Sequence, residues 1–130
     1  MKIVNAWLLL CVGFLCLNAN CKAETAEEML SACRPVANAK VTIGGIAMTR
    51  DFDSGVCWGA FGAIQSWIFI VGEHHNEPMF HICAPFGGSR SQLVAVFVRY
   101  IEKHPEKYGD DFGSVALDSL AESFPCRARR

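Results

Sequence analysis

The sequence lacks every short signature that usually carries enzyme chemistry. It has no GxSxG elbow, no HExxH pair, no CxxC and no glycine loop of the kind that cradles phosphates. Strand-like alternation is almost missing, so a sheet-based fold is not expected. Only one long apolar run occurs, "IVNAWLLLCVGFLCL" after Met1-Lys2, and the polar "NANCK" that follows arrives too early for a bilayer span of roughly 20 residues. An integral membrane protein is therefore not expected once that segment is removed.

What is present at the start reads as a secretory leader: a basic residue, an apolar stretch, then small residues. Cleavage after Ala23 fits best, and cleavage after Cys21 also fits; an uncleaved anchor is the alternative. The leader is thus assigned to residues 1–23 and a single domain to 24–130. Of seven cysteines, Cys11, Cys16 and Cys21 leave with the leader, whereas Cys33, Cys57, Cys83 and Cys126 stay. Four cysteines in an exported chain of this size point to two disulfides, with three pairings open.

Charge narrows the partners. Lys2 and Lys22 go with the leader, leaving 10 of 12 bases against 13 acids, a net charge of about −3. Arg127, Arg129 and Arg130 follow the last cysteine, so 24–126 holds 13 acids and 7 bases, about −6. Nucleic acid and anionic membranes are poor partners for such a body; a basic protein suits it better.

The rest reads as four helices. "TAEEMLSACRPVA" opens with Thr25 and Glu28 at capping-box spacing, sets Met29, Leu30, Cys33 and Val36 on one face, and is limited by Pro35. Residues 51–71 form a second helix, capped by Asp51 or Asp53. In it Gly55, Gly59 and Ala63 recur every four residues, which predicts close approach of another helix; a strand in "WIFIV" is the competing reading. Trp58 and Trp67 are expected in the core or on a packing face. The third helix begins at Ser89 and Gln92, carries Leu93, Val94, Phe97, Tyr100 and Ile101 as a stripe, and stops at Pro105. The fourth spans 112–124 behind Asp110 and Asp111, with Leu117, Leu120, Ala121 and Phe124 inward. Short links make consecutive helices antiparallel neighbours, which brings Cys33 toward Cys57 and Cys126 toward Cys83. The expected fold is all-α: a small antiparallel four-helix domain stapled by these two bridges.

Candidate sites are few. Glu73, His74, His75, Glu77 and His81 suggest a metal, but no helical ligand pair or CxxC accompanies them, and adjacent histidines in a polar loop are expected to be solvated. No metal, cofactor or catalytic residue is assigned. The charged link "HPEKYGDDFG", with Tyr108 as its one tyrosine, is a loop that a stapled scaffold could present to a partner.

Taken together, "LSACR", "GVCWGAFGAI", "CAPFGGSRSQLVAVFVRYIEKHPE" and "ALDSLAESFPC" resemble the Rap/Tai family of type VI secretion amidase immunity proteins. The resemblance covers nearly all of the mature chain. It implies a helical periplasmic protein, often a homodimer, that occludes the active-site cleft of a peptidoglycan amidase injected by sister cells. It implies no reaction of its own. Carried to this chain, it makes link 105–111 the inserting element, through Pro105, Glu106, Lys107, Tyr108, Asp110 and Asp111. The outer face of the third helix, with Arg90, Arg99 and Glu102, is the second choice. The stretch "FIVGEHHNEPMFHI" and the arginine tail depart from the family pattern. A periplasmic stress chaperone, or another binding protein of this fold, is the alternative function.

Overall fold

A computed structural model of the chain describes residues 24–43, 45–75, 78–85 and 88–126. The expected leader and the arginines after Cys126 lie outside the described residues. Four helices form the body: α1 (Ala26–Ala37), α2 (Phe52–His75), α3 (Arg90–Lys103) and α4 (Phe112–Ser123). A small antiparallel hairpin, β1 (Lys40–Thr42) with β2 (Gly45–Ala47), joins α1 to α2. Sequence reading missed it, because three-residue strands leave too little alternation to recognise.

Helix boundaries follow local chemistry. At α1, Thr25 Oγ1 accepts the Glu28 amide at 3.3 Å while Glu28 Oε2 accepts the Thr25 amide at 2.8 Å, the reciprocal box expected from the sequence. The helix continues only two residues beyond Pro35. Helix α2 runs four residues past the expected 71, so Glu73, His74 and His75 belong to its last turn rather than to a loop. Its "WIFIV" portion is helical, as the length of the run suggested. Before α3, Gln92 Oε1 accepts the Ser89 amide at 3.0 Å, and the helix stops at Lys103 before Pro105.

The core gathers where the apolar stripes meet. Met29, Leu30, Cys33 and Val36 of α1 pack with Phe61 of α2, Leu93, Val94, Phe97 and Ile101 of α3, and Val115, Ala116 and Leu120 of α4, all buried. Phe61, Phe97 and Phe112 form a ring cluster with centroids 5.3–5.7 Å apart. Edge contacts of this kind add about 0.5–1.5 kcal/mol per pair beyond burial. The two disulfides pair as the helix order implied: Cys33 with Cys57 and Cys83 with Cys126. Each typically contributes about 2–4 kcal/mol.

The glycine stripe behaves otherwise. A methyl group at Gly55 or Gly59 would meet nothing within 4 Å, and both glycines are exposed together with Ala63, so among the described residues no helix packs on them. The close approach is at Gly62, where a Cβ would come within 2.9 Å of the Arg90 guanidinium. That guanidinium lies 4.6 Å over the Trp58 ring and donates to the Trp58 carbonyl at 3.3 Å. Trp58 is accordingly half-buried, whereas Trp67 is 61% exposed, outside the core.

Candidate functional site

Link 105–111 is a docked structure rather than a loose loop. Residues Pro105–Lys107 form a 3-10 turn in which the Tyr108 amide donates to the Pro105 carbonyl at 3.2 Å. The carbonyls of Tyr108 and Asp110 then accept the Glu27 and Ala26 amides at 3.1 and 2.9 Å. The Phe112 amide donates to the Glu24 carbonyl at 3.0 Å. The first amides of a helix have no partner within it, so α1 and the link satisfy each other's backbone. Nothing in the sequence signalled this pairing, since the partners are some eighty residues apart.

Side chains of the link divide into two sets. Asp111 caps α4: its Oδ1 accepts the Ser114 amide at 2.9 Å and the Ser114 hydroxyl at 3.0 Å, and these bonds hold its carboxyl below the ordinary value. Lys107 is paired with Asp118 at 3.2 Å, which raises its ammonium pKa, and it lies 5.9 Å from the Tyr100 ring. Tyr108 is half-buried against the core. Pro105, Glu106 and Asp110 are exposed. Glu106 sits below its ordinary pKa through its own backbone amide and through His104, whose Nδ1 is 2.8 Å away.

On the outer face of α3, Arg99 is exposed and has no ion-pair partner among the described residues. Glu102 accepts from Arg34 Nε of α1 at 3.0 Å. Glu102 and the link therefore border α1 at points roughly 12 Å apart along its axis, at 1.5 Å per residue. Arg90 is not on this outer face; it is turned against α2, under Trp58 and Gln65.

Two surface features escaped sequence reading. An open groove of about 570 Å³ lies between α1 and α2, rimmed by Glu24, Glu28 and Asp53, floored by Met29 and Val56, and flanked by Phe52. A cleft of about 360 Å³ is lined by Ile64, Trp67, Ile68, Phe80, Gly113 and Leu117. The helical period shows which residues share a face but not which faces stay uncovered. Of the suggested metal cluster, His81 is exposed, and the described residues contain no group of three or more possible ligands. Glu77 and the His74 and His75 side chains lie outside what is described. No described helix is long and apolar enough to cross a membrane.

Such a surface is suited to binding. It offers a fixed link, an acidic rim and an apolar cleft. No curated protein and no solved structure matches the chain. The family model of the Rap1a immunity proteins matches residues 19–126, which is most of the sequence. A mostly helical body with two disulfides and this match agree: the chain belongs to the Rap1a immunity protein family.

Proposed function

We propose that this chain is a periplasmic immunity protein that binds a type VI secretion peptidoglycan amidase and occludes its active-site cleft. Family membership supports a toxin-binding, non-catalytic role. The single observation that favours link 105–111 as the inserting element is its attachment to α1: Tyr108 and Asp110 carbonyls cap that helix, so the link is ordered before any partner arrives. Ordering beforehand lowers the entropic cost of binding. Glu106 and Asp110 are exposed on the link, and Glu24 and Glu27 are exposed where α1 meets it, an acidic edge that suits a toxin with a basic cleft rim. Arg99 and Glu102 extend the contact along α3.

The reading includes export by the 1–23 leader and a mature domain of 24–130. It also includes a homodimer, in which the outer face of α2 (Phe52, Gly55, Gly59, Ala63 and Ile70, all exposed) meets a second copy. Amidase effectors directed to the periplasm of a host with and without this chain provide the test, with culture density as the readout. Rescue from one amidase and not from an unrelated hydrolase is the expected result. Lysis unchanged across a broad amidase panel would remove the amidase from the proposal. Exposed Phe52, Trp67, Ile70 and Phe80 also favour a second reading, a stress chaperone of the same fold. That role requires suppression of client aggregation at low pH, where immunity requires none.

A further inference from the structure

The two disulfides sit in opposite surroundings. Cys33 and Cys57 are wholly enclosed between α1 and α2, whereas Cys83 is exposed and Cys126 half-buried. Thiol–disulfide exchange needs a thiolate in line with a sulfur, so access separates the two bonds by rate.

What the exposed bond restrains is unusual. Phe80 and His81, three and two residues before Cys83, have φ of 53° and 58°, left-handed backbone that such residues seldom adopt and keep only where neighbours over-determine it. Ile82, 2% exposed, seats the segment in the core, and the backbone contacts around it are these. The Cys83 amide donates to the Phe124 carbonyl at 2.8 Å, the Cys126 amide donates to the His81 carbonyl at 3.3 Å, and Ile82 and Pro125 form a bridge between them. All of these join the same two short segments that the disulfide joins. Phe80, 52% exposed, in turn forms one wall of the apolar cleft with Trp67, Ile68 and Leu117.

We propose that Cys83–Cys126 is a dithiol-reducible latch on this cleft. A dithiol's thiolate attacks the sulfur of Cys83, the more exposed residue of the pair, and forms a mixed disulfide, expelling the Cys126 thiolate, which takes up a proton. The dithiol's second thiolate then displaces Cys83, which is protonated in turn. Two electrons and two protons pass from the dithiol to the protein, and the dithiol leaves as a disulfide. Freed of the bond, Phe80 and His81 relax from the left-handed region and the cleft changes shape. Cys33–Cys57 keeps the helical body folded. The latch does not depend on the identity of the toxin.

Native protein treated with increasing dithiothreitol, quenched with N-ethylmaleimide and mapped by mass spectrometry tests the first half. Label is expected on Cys83 and Cys126 at least tenfold faster than on Cys33 and Cys57, with helical circular dichroism unchanged. Equal rates, or labelling of Cys33 and Cys57 first, overturns the proposal. The second half is read in a Cys83→Ala/Cys126→Ala variant, which needs no reductant. Amide exchange at residues 80–83 is expected to quicken at least tenfold, with α1 and α3 still protected. Unchanged exchange at 80–83 overturns the latch, and so does loss of protection throughout α1 and α3.

Discussion

Helices α2 and α3 are both rich in apolar residues, yet they present them in opposite ways. In α3 the residues Leu93, Val94, Phe97, Val98 and Ile101 are all buried, while Gln92, Arg99, Glu102 and Lys103 face out. In α2 the buried Cys57, Phe61 and Ile68 are matched by exposed Phe52, Trp67 and Ile70 on the other side. A helix that is apolar on more than its core stripe has another surface to meet. The polar outer face of α3 and the docked link beyond it are the contrasting type of surface: ordered, charged and hydrated when free. The difference teaches that core formation accounts for α3 completely and for α2 only in part.

Substitutions can break or sharpen this contrast. The largest effect is expected for Phe97→Ala, which empties the centre of the Phe61–Phe97–Phe112 cluster and should lower stability by about 3–5 kcal/mol in a denaturant titration. Next comes a paired test inside α2. Gly59→Ala enters open space and should stabilise by about 0.4–1 kcal/mol. Gly62→Ala must push the Arg90 guanidinium off Trp58, losing a contact that offsets the same helical gain, so it should fall about 1 kcal/mol below Gly59→Ala. Ile70→Ser should change stability by less than about 0.5 kcal/mol, being exposed, while shifting any dimer toward monomer in sedimentation.

The smallest effect concerns acid. Asp51, at the start of α2, is held below its ordinary pKa first by the Ser54 amide and then by the Thr49 and Ser54 hydroxyls; Asp111 is held low at the start of α4 by Ser114. A carboxyl depressed in the folded state stabilises above its unfolded value near 3.8, and that contribution disappears as pH falls through the lower folded value. Amide exchange between pH 6 and pH 2 should therefore show the first turns of α2 and α4 loosening. The first turn of α3, whose box uses neutral Ser89 and Gln92, should not respond in that window.

Much of the fold was legible in the sequence because local rules coincide with tertiary ones. Capping boxes, the α3 stripe and the stop at Pro105 all operate within a few residues. Helix order then sufficed to bring Cys33 to Cys57 and Cys83 to Cys126. The glycine stripe misled for a physical reason: Gly55 and Gly59 leave the helix face open, but only packing decides whether anything fills it. Arg90 was misplaced likewise, since its guanidinium is turned inward by the room at Gly62, a position outside the stripe. The surface proposed for binding is the least legible part. The link's attachment to α1 rests on backbone bonds such as Ala26 to Asp110, which carry no side-chain signature.

The most direct test of the account is the affinity of the purified protein for an amidase from which it rescues cells. Glu106→Ala/Asp110→Ala alters exposed groups of the link and leaves the Asp111 cap intact. This pair should weaken binding at least tenfold, while Trp67→Ser leaves it within about threefold. Unchanged affinity in the link pair, with a large loss in Trp67→Ser, would contradict the account and move the toxin contact to the apolar face of α2.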